Sequence, residues 1–264
     1  MNQTKEIDRD RLIDAAEIIA RAKYVTALTG AGMSVESGIP PFRGPGGLWT
    51  KHGEPPMDGY QRFLADPKKH WEERLNPKGP MVELRESLQK AAPNPGHTAL
   101  AELEKMGILK ALITQNVDNL HKASGSLNVL EIHGNYTLLR CNECNSRYER
   151  DEIEISPESL PPKCPKCAGI IKGDGVAFGE PIPSDVLQGC QEESARSDCM
   201  LVIGTSATVY PAAAFPQQIL RQGHPVIEIN LYESDLTPLC QISLQGPSGE
   251  IMPQLVEIIK EKIN

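Results

Sequence analysis

Leu12, Ile13, Ala16, Ile19 and Ala20 recur at helical spacing and lead into an apolar run, Tyr24 to Leu28, that stops at Thr29-Gly30-Ala31-Gly32. The spacing predicts helix, strand and glycine turn. The same order returns further along: Ala99 to Met106 is helical, and Leu109 to Ile113 is a short apolar run ending at Thr114-Gln115-Asn116. Val129 to Ile132 precedes His133-Gly134, Met200 to Ile203 precedes Gly204-Thr205-Ser206, and Val226 to Ile229 precedes Asn230. Ala212 to Arg221 is helical between the last two, and Met252 to Ile263 reads as a further amphipathic helix. Short apolar strands alternating with helices predict an α/β fold with a mostly parallel sheet. In such sheets ligands bind beyond the carboxyl ends of the strands, so the five polar motifs are expected to share one cleft.

Two stretches break the alternation: residues 35 to 95, rich in Pro and Gly with two Trp, and residues 135 to 180, which hold two cysteine pairs. Both read as insertions in the sheet domain. The 22 Gly and 22 Pro of this 264-residue chain are scattered, which excludes collagen-like and wholly disordered chains. A balance of 35 acidic against 27 basic residues, net −8, argues against a general phosphate-backbone binder, so nucleic acid is not an expected partner. No apolar stretch near Met1 has the pattern of a signal peptide or membrane span, and a cytoplasmic location without membrane attachment is expected.

In that reducing setting the seven cysteines are not expected to form disulfides. Cys141-x-x-Cys144 and Cys164-x-x-Cys167 can each hold one side of a tetrahedral zinc, the plainer reading being two pairs of reduced structural thiols. Four thiolates leave no open coordination position, so such a zinc is structural and catalysis lies elsewhere. Cys190, Cys199 and Cys240 read as buried packing.

Gly30-Ala31-Gly32 after a strand suits backbone approach to a pyrophosphate, although Val35 stands where the dinucleotide fingerprint places its third glycine. A tight turn without ligand fits those three residues almost as well. The continuation from Ser34 through Ser37-Gly38-Ile39-Pro40-Pro41-Phe42-Arg43 adds a polar, glycine-bearing loop with an aromatic ring and a guanidinium. Asn116, Asp118, His121 and His133 are suited to orient or deprotonate a hydroxyl-rich ligand. His133, at a strand end in the expected cleft, is the candidate base, whereas His121, in a helical turn, reads as structural.

These motifs, together with Phe178-Gly179-Glu180 and Ile229-Asn230, resemble in their order along the chain the sirtuins, the NAD-dependent protein deacylases. The resemblance implies a Rossmann-like domain (1–34, 91–134 and 181–264), a helical insertion (35–90) and a zinc-binding module (135–180), the two insertions forming a smaller lobe. It implies that Gly30, Ala31, Gly32 and Ser34 face NAD, with Phe42 and Arg43 bordering the pyrophosphate and nicotinamide ribose. Gln115, Asn116 and Asp118 would place that ribose and the carboxamide. Gly204, Thr205, Ser206, Asn230, Leu231 and, more weakly, Ser248 would line the adenosine half. Val176, Phe178, Gly179, Glu180 and Val209 would hold an acylated-lysine peptide, added as a strand, with Val176 offering its carbonyl to the lysine Nε–H. His133 matches the family base and Asn116 assists. The products implied are free lysine, nicotinamide and 2′-O-acyl-ADP-ribose.

Several positions depart from the family pattern: Pro41 replaces Asp or Thr, Lys172-Gly173 replaces Arg-Pro, and Ala177 replaces a bulky residue. Ala177 either widens the acyl-lysine tunnel or is compensated by a neighbour. The Tyr-x-x-Arg pair of members that take acidic acyl groups is absent, Arg74 and Pro77 standing at those positions if Trp71 sets the register. A neutral acyl group, acetyl foremost, is therefore expected. Rival expectations are mono-ADP-ribosyl transfer to protein and a non-catalytic NAD-sensing scaffold.

Overall fold

The structure, a computed structural model, describes residues 8–263. The expected sheet domain therefore falls, for residues 1–7 and 264, outside the described residues. The strands are, in chain order, β1 Val25–Thr29, β2 Leu109–Thr114, β3 Val129–Glu131, β4 Leu139–Cys141, β5 Arg147–Tyr148, β6 Ile171–Gly173, β7 Cys199–Ile203, β8 Val226–Asn230 and β9 Ile242–Gln245. Six form one sheet in the order β3-β2-β1-β7-β8-β9, every pairing parallel. All residues of β1 and β7 are buried, as expected for strands covered by helices on both faces.

Leu12 and Ile19 of helix Arg9–Arg21, Leu100 and Leu103 of Pro95–Lys105, and Leu255 and Ile259 of Ser248–Ile263 pack on Val25, Ala27 and Leu201. On the opposite face Cys190 of helix Ser184–Arg196 and Phe215 and Ile219 of Ala214–Arg221 pack on Leu28, Met200 and Val202. Neighbouring residues of one strand thus point to opposite helical layers, the alternation a pleated strand imposes. Each such Leu or Ile contributes about 1.5–3 kcal/mol relative to an exposed position. Among the described residues no helix is long and apolar enough to cross a membrane.

The five expected strands are present within a residue or so of their predicted limits, and β9 is an addition. Its pattern of one buried residue in four gives no apolar run to read. Helix Pro95–Lys105 begins ahead of the apolar periodicity because Asn94 caps it, accepting from the Gly96 and His97 amides, with Pro95 in the first turn. Helix Ser248–Ile263 likewise begins ahead of Met252 and carries Pro253 inside it. One of its first amides is met from elsewhere in the fold: Gly249 N donates to Glu36 Oε2 at 2.7 Å.

β4 lies between β5 and β6 in a separate antiparallel sheet of three strands. Trp71, from helix Pro67–Leu75, is buried in that sheet's core with Leu139, Ile153 and Ile171, and its Nε1 donates to the Ile171 carbonyl at 2.7 Å. The indole joins the two insertions into one lobe. In the main sheet the strand order runs from β1 outward through β2 to β3 on one side and resumes with β7 on the other side of β1, a reversal that opens a crevice at the carboxyl ends of β1 and its neighbours. Thr29, the last residue of β1, is in register with Thr114 of β2 and Ile203 of β7, so three strand ends reach the same level.

Candidate active site

The turn at Gly30–Gly32, the first glycine turn, and the turn at Gly204, the third after that at Gly134, stand back to back at that level. Gly30 N donates to the Ile203 carbonyl at 3.0 Å and Gly32 N to the Gly204 carbonyl at 2.7 Å. A Cβ on Gly32 would lie 2.7 Å from Gly204 Cα, and one on Gly204, whose φ is +61°, would lie 2.2 Å from Met33 N. Only glycine allows this backbone contact. The second and fifth strand ends close on the same point: Gln115 Nε2 donates to Thr205 Oγ1 at 2.8 Å and Asn230 Nδ2 to the Thr205 carbonyl at 3.1 Å. Leu231 N in turn donates to Asn230 Oδ1 at 3.0 Å, with the Leu231 side chain exposed. Ala31 lies between the two glycines at the start of the short helix Ala31–Ser37, and Ser206 is exposed, its hydroxyl 3.0 Å from Thr208 Oγ1.

Behind the turns runs a buried polar chain. Asn116 Nδ2 donates to the Gly30 carbonyl at 3.0 Å and to Ser34 Oγ at 3.1 Å, and Ser34 Oγ donates to Asp118 Oδ2 at 2.6 Å. Burial pushes the Asp118 carboxyl above its ordinary range, opposed by the bonds from Ser34 and from the Leu120 amide. The sequence reading missed His97. Its Nδ1 accepts from the Asn94 amide at 3.3 Å, which leaves the proton on Nε2, 3.5 Å from Ser34 Oγ. Burial pushes His97 down to about 4, so it is neutral at pH 7. The signal for it was the run Asn94-Pro95-Gly96-His97, a helix start. His121 is structural as expected: it is buried, its Nε2 lies 2.9 Å from Thr29 Oγ1, and burial lowers its pKa to about 3.

His133 follows β3 at the same level. Its Nδ1 is 3.1 Å from the Gln115 carbonyl, which can only accept, so Nδ1 carries the proton. Nε2 is left with a free lone pair and no partner among the described residues. Burial holds the imidazole below its ordinary pKa, opposed by the Gln115 bond, and the ring is neutral at pH 7. That is the state a general base requires.

The outer wall is aromatic. Phe42 and Trp49 have ring centroids 5.1 Å apart, Trp49 and Phe178 5.7 Å, and the Arg43 guanidinium lies 4.6 Å over Trp49 while its Nε pairs with Glu54 at 3.1 Å. Trp49, which the sequence reading left unassigned, therefore links Phe42, Arg43 and Phe178. Val176 N donates to the His133 carbonyl at 2.9 Å, and Val209 begins the turn in which Ala213 N donates to its carbonyl at 3.0 Å. Gly179 is exposed with φ +79°. Helix Gly59–Ala65 approaches this segment: Tyr60 N donates to the Phe178 carbonyl at 3.0 Å, and a Cβ on Gly59 would lie 3.7 Å from that of Ala177.

Two of the expected site residues have side chains bonded within the protein. The Glu180 carboxylate is turned inward: it pairs with Arg140 Nη2 at 2.7 Å and Lys172 Nζ at 3.1 Å, with only 2% of the side chain exposed. Two buried cations draw it in. Ser248 is buried at the start of the last helix, its hydroxyl 3.4 Å from Glu36 Oε2, because that helix begins earlier than its apolar pattern.

The four cysteines of the small lobe bring their Sγ atoms within 4.8 Å of one another, with Cys141–Cys167 at 3.4 Å and Cys144–Cys164 at 3.8 Å. Sulfurs at the corners of a zinc tetrahedron with bonds of about 2.3 Å stand about 3.8 Å apart, so the thiol set fits zinc. Of the remaining thiols Cys190 and Cys199 are buried and Cys240 is half-buried, and burial pushes all three up to about 12, the state of inert packing residues.

A profile described as the Sir2 family matches residues 30–211, from the first glycine turn to beyond the third. The chain is 44% identical over 252 residues to an NAD-dependent protein deacylase of Thermococcus kodakarensis, covering 94% of this chain and 95% of that protein. It is 41% identical over 248 residues to an NAD-dependent protein deacetylase of Caldivirga maquilingensis, covering 93% of each. The solved structure of a Sir2 homolog–NAD complex superposes with a TM-score of 0.79 at 40% identity, covering 100% of this chain and 98% of that one. Sequence and fold agree with these proteins along nearly the whole length, and the chain belongs to the Sir2 family.

Proposed function

We propose that the chain removes acyl groups from protein lysine side chains with NAD as co-substrate, and that His133 is the general base. The observation that carries this reading is the imidazole itself, neutral, with Nδ1–H fixed on Gln115 and the Nε2 lone pair unused at the convergence of the strand ends. NAD, when bound, supplies an activated ribose that takes the acyl group as nicotinamide leaves. Nε2 accepts a hydroxyl proton, and the Gln115 carbonyl stabilises the imidazolium that forms. Asn116, Ser34 and Asp118, already bonded in series, orient the nicotinamide end. Gly30 and Gly32, whose own amides bond the Ile203 and Gly204 carbonyls, leave the backbone at Ala31 bare of side chains for a phosphate to approach, Arg43 offers charge to it with Phe42 alongside, and Thr205, Ser206, Asn230 and Leu231 take the adenosine half.

The substrate is an acyl-lysine segment of a protein that adds as a strand beside Gly179 and Val209. Val176 N–H is committed to His133, and its carbonyl remains to accept from the lysine Nε–H. A neutral acyl group follows from the missing Tyr-x-x-Arg pair. The four cysteines hold one structural zinc. Residues 1–34, 91–134 and 181–264 form the NAD-binding domain, with 35–90 and 135–180 as the smaller lobe, and the protein acts in the cytoplasm, where its thiols stay reduced.

Acetylated, succinylated and longer-chain acyl peptides incubated with labelled NAD test this reading. Nicotinamide release with label in a small acyl-ADP-ribose is the expected result. Label retained on a protein would favour ADP-ribosyl transfer, and NAD binding without nicotinamide release would leave a sensor.

A further inference from the structure

Five charged side chains meet in the small lobe behind the segment that carries Val176, Phe178 and Gly179. Arg140 Nε donates to Asp174 Oδ1 at 3.0 Å and its Nη2 to Glu180 Oε1 at 2.7 Å, while Arg147 Nε reaches the same Asp174 oxygen at 3.0 Å. Asp174 Oδ2 accepts from the Asn135 amide at 2.8 Å, two residues beyond His133. Glu180 Oε2 closes its own loop by accepting from Ala177 N at 2.8 Å. Lys172 completes the set: Nζ pairs with Glu180 Oε2 at 3.1 Å and donates to the carbonyls of Gly173 at 2.8 Å and Gly175 at 2.7 Å. Its side chain is 5% exposed. Gly173 and Gly175 lack side chains that would stiffen this loop, so the ammonium, which binds both of their carbonyls, adds to the Asp174 and Glu180 contacts in fixing the turn into Val176.

We propose that Lys172 is a positioning residue: by binding the Glu180 carboxylate and the Gly173 and Gly175 carbonyls, it holds the Val176–Gly179 segment against His133 in the shape that receives the acyl-lysine. The inference rests on the deacylase reading for its kinetic arm only. Burial lowers the Lys172 pKa to about 8 against the attraction of Glu180 and Asp174, with Arg140 adding repulsion. His70, on helix Pro67–Leu75, also feels the Lys172 charge and is itself held below its ordinary pKa by burial. The ammonium is therefore lost as pH rises through about 8, and the clamp loosens on the alkaline side.

Initial rates with acetyl-lysine peptide and NAD varied separately test it in the full-length protein, for the wild type, Lys172→Met and Lys172→Arg. Loss of one charged contact at Lys172→Met is expected to raise the peptide KM about tenfold and leave the NAD KM within about twofold. Lys172→Arg is expected to restore the peptide KM and move its alkaline rise up by more than one pH unit, because a guanidinium does not deprotonate there. Amide hydrogen exchange over residues 174–180, faster in Lys172→Met with the β1 and β7 amides unchanged, reads the same clamp without turnover. Equal rises in both KM values, an unchanged peptide KM, failure of Lys172→Arg to restore it, or unchanged exchange would each overturn the proposal. A wild-type protein that releases no nicotinamide with any peptide would sink the deacylase reading alone, and the exchange comparison would still decide the clamp.

Discussion

His133, His97 and His121 are three imidazoles held neutral, the first half-buried and the other two buried, and they answer to acid differently. His133→Ala is expected to lower kcat by about 10²–10⁴ and leave NAD affinity within a few fold, measured by titration calorimetry beside turnover. The wild-type acid limb should lie below pH about 6.5, because the folded protein lowers the His133 pKa, and activity is lost as pH falls through that lowered value. His97 acts on stability. Its folded pKa of about 4 lies below the unfolded value, so the unfolded chain protonates first and stability falls as pH drops from about 6.5 toward 4. The slope is at most about 1.4 kcal/mol per pH unit for one histidine, and urea melts of a His97→Gln protein should show a flatter dependence over that range. Of these residues, His133 was legible because a polar residue at a strand end stands in the crevice. His97 was not, since its place in the sequence is a helix start and only the fold brings it to Ser34.

At the level of elements, the strands were readable wherever burial on both faces made a continuous apolar run, as in β1 and β7. Helix limits were less so, because the amides at their starts are capped by groups outside the apolar pattern. Asn94 shows the consequence: besides capping helix Pro95–Lys105, its Nδ2 donates to the Met33 carbonyl at 2.8 Å and to Ser37 Oγ at 3.1 Å. Asn94→Ala is therefore expected to cost more than an isolated cap, about 2 kcal/mol in a denaturant melt, and to weaken NAD binding with it. Gly32→Ala should be worse placed still, since its Cβ would meet Gly204 backbone at 2.7 Å. A loss of NAD binding in a protein that still melts cooperatively is the expected result. The reach of the Glu180 side chain toward Arg140 and Lys172 could not be read from Phe-Gly-Glu, because it depends on which way one side chain turns after the backbone is set.

For the whole molecule, the two cores separate cleanly. The sheet domain packs its own helices on both faces, and the small lobe relies on Trp71, Leu139, Ile153, Ile171 and the four thiolates. Stripping zinc with a chelator should therefore unfold the small lobe and abolish turnover while the main sheet keeps its protection, a difference that hydrogen exchange followed by mass spectrometry resolves strand by strand. The cysteine spacing disclosed the metal lobe in advance. The indole that welds the helical insertion to it was hidden, since nothing near Trp71 in the chain points to Ile171.

Glu36 ties the short helix beside the first glycine turn to the Gly249 amide at the start of helix Ser248–Ile263, and so joins parts of the chain 213 residues apart. A dinucleotide settling on that turn should quiet the final helix as well, and anything that frays the helix should be felt as weaker grip on the nucleotide. A reporter placed on the solvent face of the last helix would then announce occupancy of the cleft from the far end of the polypeptide.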